Sequence, residues 1–296
     1  MKALSTVLIT ALVSAQLADA HQDDLGDVYP EVRVEDGKFA VYFTNNGEKK
    51  SYRSILNADG KVVSERKPVE KIPRLENPQW AVGEGLDTVV RFSGKRAFFT
   101  IPHSAGGTPP AVIKFTPDGE REEIELDWGG HDIHLVHTAA ATDDGFAIIA
   151  SGKPPQEHRD RYPFTFFQFS KTGELQHAKE IGAPTRVYFF PSQSQLLVHE
   201  GHAYVAWMRI LHAGRAIAET GLVLSRFNLK NGEMSMAEVT PDGGHWNTKP
   251  SIGAIGDRLL IAFHYRLPRL PTDGIEGVAR IKARSVSLKE LFVAKK

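Results

Sequence analysis

Asp36-Gly37-Lys38-Phe39-Ala40-Val41-Tyr42-Phe43 joins a two-residue turn signal to an apolar, β-rich run. Asp-Gly supplies the positive φ that a tight turn requires, and a short run of this composition reads as a strand. The same unit returns four times. Ser93-Gly94 precedes KRAFFTI, Asp144-Gly145 precedes FAIIAS, Glu200-Gly201 precedes HAYVAW, and Gly256-Asp257 precedes RLLIAF. The second turn positions lie 57, 51, 56 and 56 residues apart.

A second series interleaves with the first: Asp59-Gly60-Lys61, Asp118-Gly119-Glu120, Thr172-Gly173-Glu174 and Asn231-Gly232-Glu233, their glycines 59, 54 and 59 apart. Its period continues to Ser287-Leu288-Lys289, where the glycine is missing. The runs SYRSIL, AVIKFT, FTFFQF, LVLSRF and ARIKARSV stand before these sites. Each unit therefore reads as strand, Gly turn, strand, variable loop, strand, Gly turn, strand. A four-stranded antiparallel unit repeated at this period predicts an all-β fold, a single five-bladed β-propeller. Six blades would need irregular ends, which the spacing disfavours. The units fall near 28–75, 76–128, 129–184, 185–241 and 242–296, with no linker between them. The last stretch, SLKELFVAKK, suits a strand or a single helical turn.

The N-terminus predicts an address. Met1-Lys2 is followed by an apolar stretch to Leu17 and by Ala18-Asp19-Ala20, a small-x-small cleavage pattern. The stretch is short for a bilayer span. Residues 1–20 are expected to be a cleaved signal, leaving a periplasmic or secreted domain, 21–296. The chain has no Cys, so stability must come from burial and sheet hydrogen bonds. Charge balances at 36 Lys+Arg against 36 Asp+Glu, which argues against nucleic acid as a partner. A monomer is expected, with a glycan or an exported protein as partner.

Function is expected on the face carrying the long second-to-third-strand loops, which differ from one another. Blade 3 opens with Gly129-Gly130-His131-Asp132-Ile-His134-Leu-Val-His137, and blade 5 with Gly243-Gly244-His245-Trp246-Asn247. Glu84 and Asp87 stand at the start of blade 2. Tyr162, Tyr265 and Arg266 sit in or beside the long loops. These residues are the candidate ligand site. His131, His134 and His245 are candidate metal ligands, for copper, zinc or calcium. Strand geometry places positions three apart on opposite faces, so His131, His134 and His137 would not all converge without a bulge. His21, as the expected mature N-terminus, could chelate copper through its amine and imidazole.

No Gly-x-Ser-x-Gly, phosphate loop or dinucleotide fingerprint occurs. The layout Tyr29-Pro30-Glu-Val-Arg-Val-Glu-Asp36-Gly37-Lys-Phe-Ala-Val-Tyr42 resembles the first inner strand of arabinanase and β-xylosidase-type glycosidases, which typically enter it with Asp-Pro. Tyr29 stands at the position of that family's general-base Asp. The resemblance thus implies the fold and not the two-carboxylate chemistry. A polysaccharide lyase is the leading enzymatic alternative, with His134, His245, Tyr29 and Arg161 as candidate acid–base and charge-neutralising groups. Binding without catalysis is the leading reading; copper or zinc handling is the third.

Overall fold

The computed structural model describes residues 27–45, 47–70, 87–92, 95–100, 111–115, 121–152, 164–181, 195–213, 218–240, 246–266 and 280–292. The expected signal segment, with His21, lies outside them. The described residues form five antiparallel sheets. Sheet 1 holds β1 (Asp27–Glu35), β2 (Lys38–Asn45), β3 (Lys50–Leu56) and β4 (Val62–Val69). Sheet 2 holds β5 (Asp87–Phe92), β6 (Lys95–Thr100), β7 (Ala111–Phe115) and β8 (Arg121–Ile124). Sheet 3 holds β9 (Ile133–Ala141), β10 (Gly145–Gly152), β11 (Phe164–Ser170) and β12 (Leu175–Glu180). Sheet 4 holds β13 (Gln195–His199), β14 (His202–Ala213), β15 (Ala218–Asn228) and β16 (Met234–Glu238). Sheet 5 holds β17 (Trp246–Ile255), β18 (Arg258–Arg266) and β19 (Arg280–Ser287), followed by the turn of helix α1 (Leu288–Leu291). Within each sheet the strands lie in chain order, the meander of a propeller blade. The expected fourth strand of sheet 5 is not formed by the described residues: where the repeat lacks its glycine, Ser287 caps α1 instead.

The second strands of sheets 3, 4 and 5 are apolar at successive positions because both their faces are covered. Phe39, Val41 and Phe43 point one way, and pack with Leu260 and Ala262 of sheet 5. Leu259, Ile261 and Phe263 pack against Tyr204 and Ala206 of sheet 4. Ala203, Val205 and Trp207 pack against Ala147 and Ile149 of sheet 3. Phe146, Ile148 and Ala150 pack against Ile124, Leu126 and Trp128, from the end of sheet 2 and beyond. Sheets 3, 4 and 5 thus each offer alternate residues of one strand to two neighbours, and the packing runs from the end of sheet 2 through 3, 4 and 5 to sheet 1. First and last sheets in sequence are neighbours in space.

Hydroxyls on the inner strands stitch two of these seams. The Val32 amide donates to Ser251 Oγ (2.8 Å), and the Leu196 amide to Thr138 Oγ1 (3.3 Å). Both acceptors are buried and hold corresponding places in β17 and β9. Ser251→Ala is expected to cost about 1–3 kcal/mol, because the Val32 amide would stay buried without its acceptor. Urea unfolding of the variant checks this.

The two glycine series do different work. Gly37, Gly201 and Gly256 have φ of 68°, 70° and 54° and open space where a Cβ would sit, so the turn itself requires them. Gly60 and Gly173 also have positive φ, but each lies against the neighbouring sheet. A Cβ on Gly60 would stand 2.8 Å from Ser285 Cβ, and one on Gly173 2.6 Å from the Glu125 carbonyl. This series is therefore a docking device between sheets as well as a turn. One reading is corrected. The sheet 3 turn is Asp143-Asp144, since the Thr142 amide donates to the Gly145 carbonyl and Gly145 already pairs with Ser170 in β10.

Candidate functional site

The described turns of sheets 1, 4 and 5 gather at one end of the array. His199 Nε2, at the close of β13, lies 2.7 Å from the Gly256 carbonyl that follows β17. Arg258, opening β18, pairs with Asp59 in the turn after β3 at 3.1 Å. The leading ends of β1, β13 and β17 therefore share the opposite end.

Three inner strands break register near those leading ends, at matching places. In β1, Tyr29 and Pro30 together stand between pairs Val28–Thr44 and Glu31–Tyr42, opposite Phe43. In β17, Lys249 and Pro250 stand between Thr248–His264 and Ser251–Ala262, opposite Phe263. In β9, His137 is the extra residue between Val136–Ala150 and Thr138–Ile149. Phe43, Ala150 and Phe263 hold the same position in their strands. A second break in β9 leaves His134 without a partner across the strand. A bulge bends its strand and re-aims the residues around it, and is enriched beside functional sites. Proline suits such a place because it has no amide to lose. Tyr29-Pro30 and Lys249-Pro250 carried that signal in sequence; only the apolar, turn-flanked strands around them were legible there. The breaks in β9 also remove the simple alternation on which the opposite-face expectation for its histidines rested.

The expected site residues are distributed as follows. Tyr29 lies on β1, Asp87 opens β5, His134 lies on β9, and Trp246 and Asn247 open β17. Trp246 pairs across the strand with Arg266, and Asn247 with Tyr265, so four expected site residues come together at the leading end of sheet 5. Tyr265 is half-buried, with Lys282 Nζ 3.4 Å above its ring. His131 and Asp132 are exposed. The two glycines before them have φ of 60° and 81°, and the chain between them and β8 runs across sheet 3, where the Asp127 amide donates to the Gly173 carbonyl (3.1 Å). The His131 ring stands edge-on to buried Phe167, centroids 5.1 Å apart, so this histidine also has a packing role. Glu84, Arg161, Tyr162 and His245 lie outside the described residues. Among the described residues no group of three His, Cys, Asp or Glu could hold a metal ion.

Directly after the β1 bulge comes a charged face that sequence reading missed. Glu31, Arg33 and Glu35 alternate along β1, and Tyr42 and Arg53 stand beside them in β2 and β3. All five occupy the face of sheet 1 turned away from sheet 5. Arg33 donates through Nε and Nη2 to Glu31 Oε1 (2.8 and 2.7 Å) and stacks 4.7 Å from the Tyr42 ring. Tyr42 donates its hydroxyl to Glu35 Oε1 (2.7 Å), and Arg53 pairs with the other Glu35 oxygen. Burial, the bond to Glu35 and that carboxylate's charge hold the Tyr42 hydroxyl above its ordinary pKa. Burial also raises Tyr204. On the opposite face, Tyr52 and Arg66 hold the Glu48 carboxylate below its ordinary value. The period-2 alternation E-V-R-V-E at 31–35 was the available signal.

No family model matches the sequence, and no curated protein matches it. Among solved structures the chain is similar to a thermostable family-43 glycoside hydrolase, at 14% identity and a TM-score of 0.41 over 88% of this chain and 95% of that one. It is similar to the catalytic domain of the GH62 α-L-arabinofuranosidase of Coprinopsis cinerea, at 9% identity and TM-score 0.42 over 90% and 92%. A third is the GH32 β-fructofuranosidase BmSUC1 of Bombyx mori, at 9% identity and TM-score 0.43 over 97% of this chain and 68% of that one.

Proposed function

We propose that this chain is an exported binding protein that takes a glycan, without cleaving it, at the leading ends of its inner strands. The observation that carries the reading is the matched set of register breaks in β1, β9 and β17. Three sheets depart from regular pairing at one corresponding place, next to aromatic, imidazole, amide and cationic residues. Aromatic faces beside fixed hydrogen-bonding groups suit the apolar and hydroxyl faces of a sugar ring. Calorimetric titration with neutral and uronate-containing oligosaccharides tests the reading. Trp246→Ala and Asn247→Ala are expected to weaken binding by roughly tenfold or more, while Lys38→Ala at the Gly-turn end leaves it unchanged. Release of unsaturated products from a uronate polymer would replace this reading with the lyase. Equal binding by the Trp246, Asn247 and Lys38 variants would move the site elsewhere.

A further inference from the structure

The sequence Arg280-Ile-Lys282-Ala283-Arg284-Ser285-Val-Ser287 alternates cations with small or apolar residues as far as Ser285. It forms β19, the outermost strand of the three-stranded sheet, and among the described residues no strand lies beyond it. Every other sheet carries a fourth strand there. The lower part of the edge is covered: Ser285 Oγ donates to the Ala58 carbonyl (2.7 Å), and Gly60 closes against Ser285. That leaves Arg280 to Arg284, as long as the five residues of β16 and longer than the four of β8.

The two faces of this stretch differ. Lys282 and Arg284 stand opposite Phe263 and Ile261 in β18, hence on the side toward sheet 4, and both are exposed. Lys282 is held in place over the Tyr265 ring, and Arg284 by a bond to the Val239 carbonyl. Ala283 is exposed on the other side, toward sheet 1, and is small enough to leave room for an apolar side chain. A strand added here would place alternate residues beside the two cations and the others beside Ala283, because cross-strand neighbours share a face. A second copy of β19 cannot fill the place well, since it would set Lys and Arg opposite Lys and Arg.

We propose that the edge of β19, which no strand covers among the described residues, is a strand-addition site for an extended segment of a partner protein whose acidic residues stand two apart, with apolar residues between them. Main-chain pairing supplies affinity, and the cation row sets register and partner choice. The test uses the whole mature chain and two labelled nine-residue peptides, one alternating Glu and Val and one alternating Lys and Val. The acidic peptide is expected to bind, to raise amide protection within 281–284 in hydrogen exchange, and to lose about tenfold in affinity on Lys282→Glu/Arg284→Glu. The charge-matched pair Lys38→Glu/Lys67→Glu, exposed on sheet 1, leaves binding unchanged. Should the first pair fail to fold, Ala283→Pro serves, because it removes an amide from the edge while edge strands tolerate proline. Equal binding of both peptides, protection elsewhere, or self-association through β19 would overturn the assignment.

Discussion

Gly145→Ala is expected to lower the unfolding free energy by about 3 kcal/mol, read as a fall in the denaturant midpoint at constant slope. The residue does not have positive φ, so turn strain is not the cause. A Cβ at this position would stand 1.9 Å from the Phe169 carbonyl oxygen and 2.9 Å from two backbone carbons. Backbone cannot rotate away as a side-chain tip can. The β10–β11 pair would have to separate where Phe146 and Phe169 stack with centroids 5.5 Å apart, both buried. Gly201→Ala is the control. Its φ of 70° carries a cost of about 1–2 kcal/mol, and nothing lies within 4 Å of the added carbon. If Gly145→Ala proved no worse than Gly201→Ala, the close approach of β10 and β11 would be wrong.

Phe166→Ala is expected to cost about 3–5 kcal/mol. Phe166 and Phe227 are fully buried and stack face to face, centroids 4.0 Å apart and planes 7° from parallel. The pair joins sheet 3 to sheet 4, so the cavity would open in a seam whose other members, Ile149, Leu196 and Val205, are also fully buried and leave little freedom to collapse. Phe227→Ala should cost a similar amount, and the double variant less than the sum, because each single change already breaks the stack. Val34→Ala, at 49% exposure, should stay within about 0.5 kcal/mol and shows the scale of a surface change. Additive losses in the double variant would mean that the two rings stabilise the seam independently.

The strands and turns were legible because their signals are local. Asp36-Gly37 turns with φ of 48° and 68°, and the run after it forms β2. Asp144-Gly145 misled by one residue. An Asp-Asp turn with glycine just after it looks like an Asp-Gly turn, and only the pairing of Gly145 with Ser170 separates them. The candidate site was legible in part. Asp87, His134, Trp246 and Asn247 stand on β5, β9 and β17, the first strands of their sheets. The pairing of Trp246 with Arg266 and of Asn247 with Tyr265 depends on β18 register, which begins at the Gly256-Asp257 turn and is shifted by the bulge at Lys249-Pro250. The charged face of sheet 1 was not anticipated, since strand alternation alone does not say what each face meets.

By itself the sequence determined an all-β repeat, its two turn series and the apolar strands between them. Hydrogen bonding and φ preference act over a few residues, so a repeat of local signals becomes a repeat of sheets. Tertiary structure decided which glycines answer to φ and which to a neighbouring sheet. It also decided where inner strands lose register and which sheet has three strands among the described residues. Those outcomes rest on atoms far apart in the chain, such as Val32 and Ser251, 219 residues distant yet hydrogen-bonded. No local pattern records that approach; packing one sheet against the next creates it.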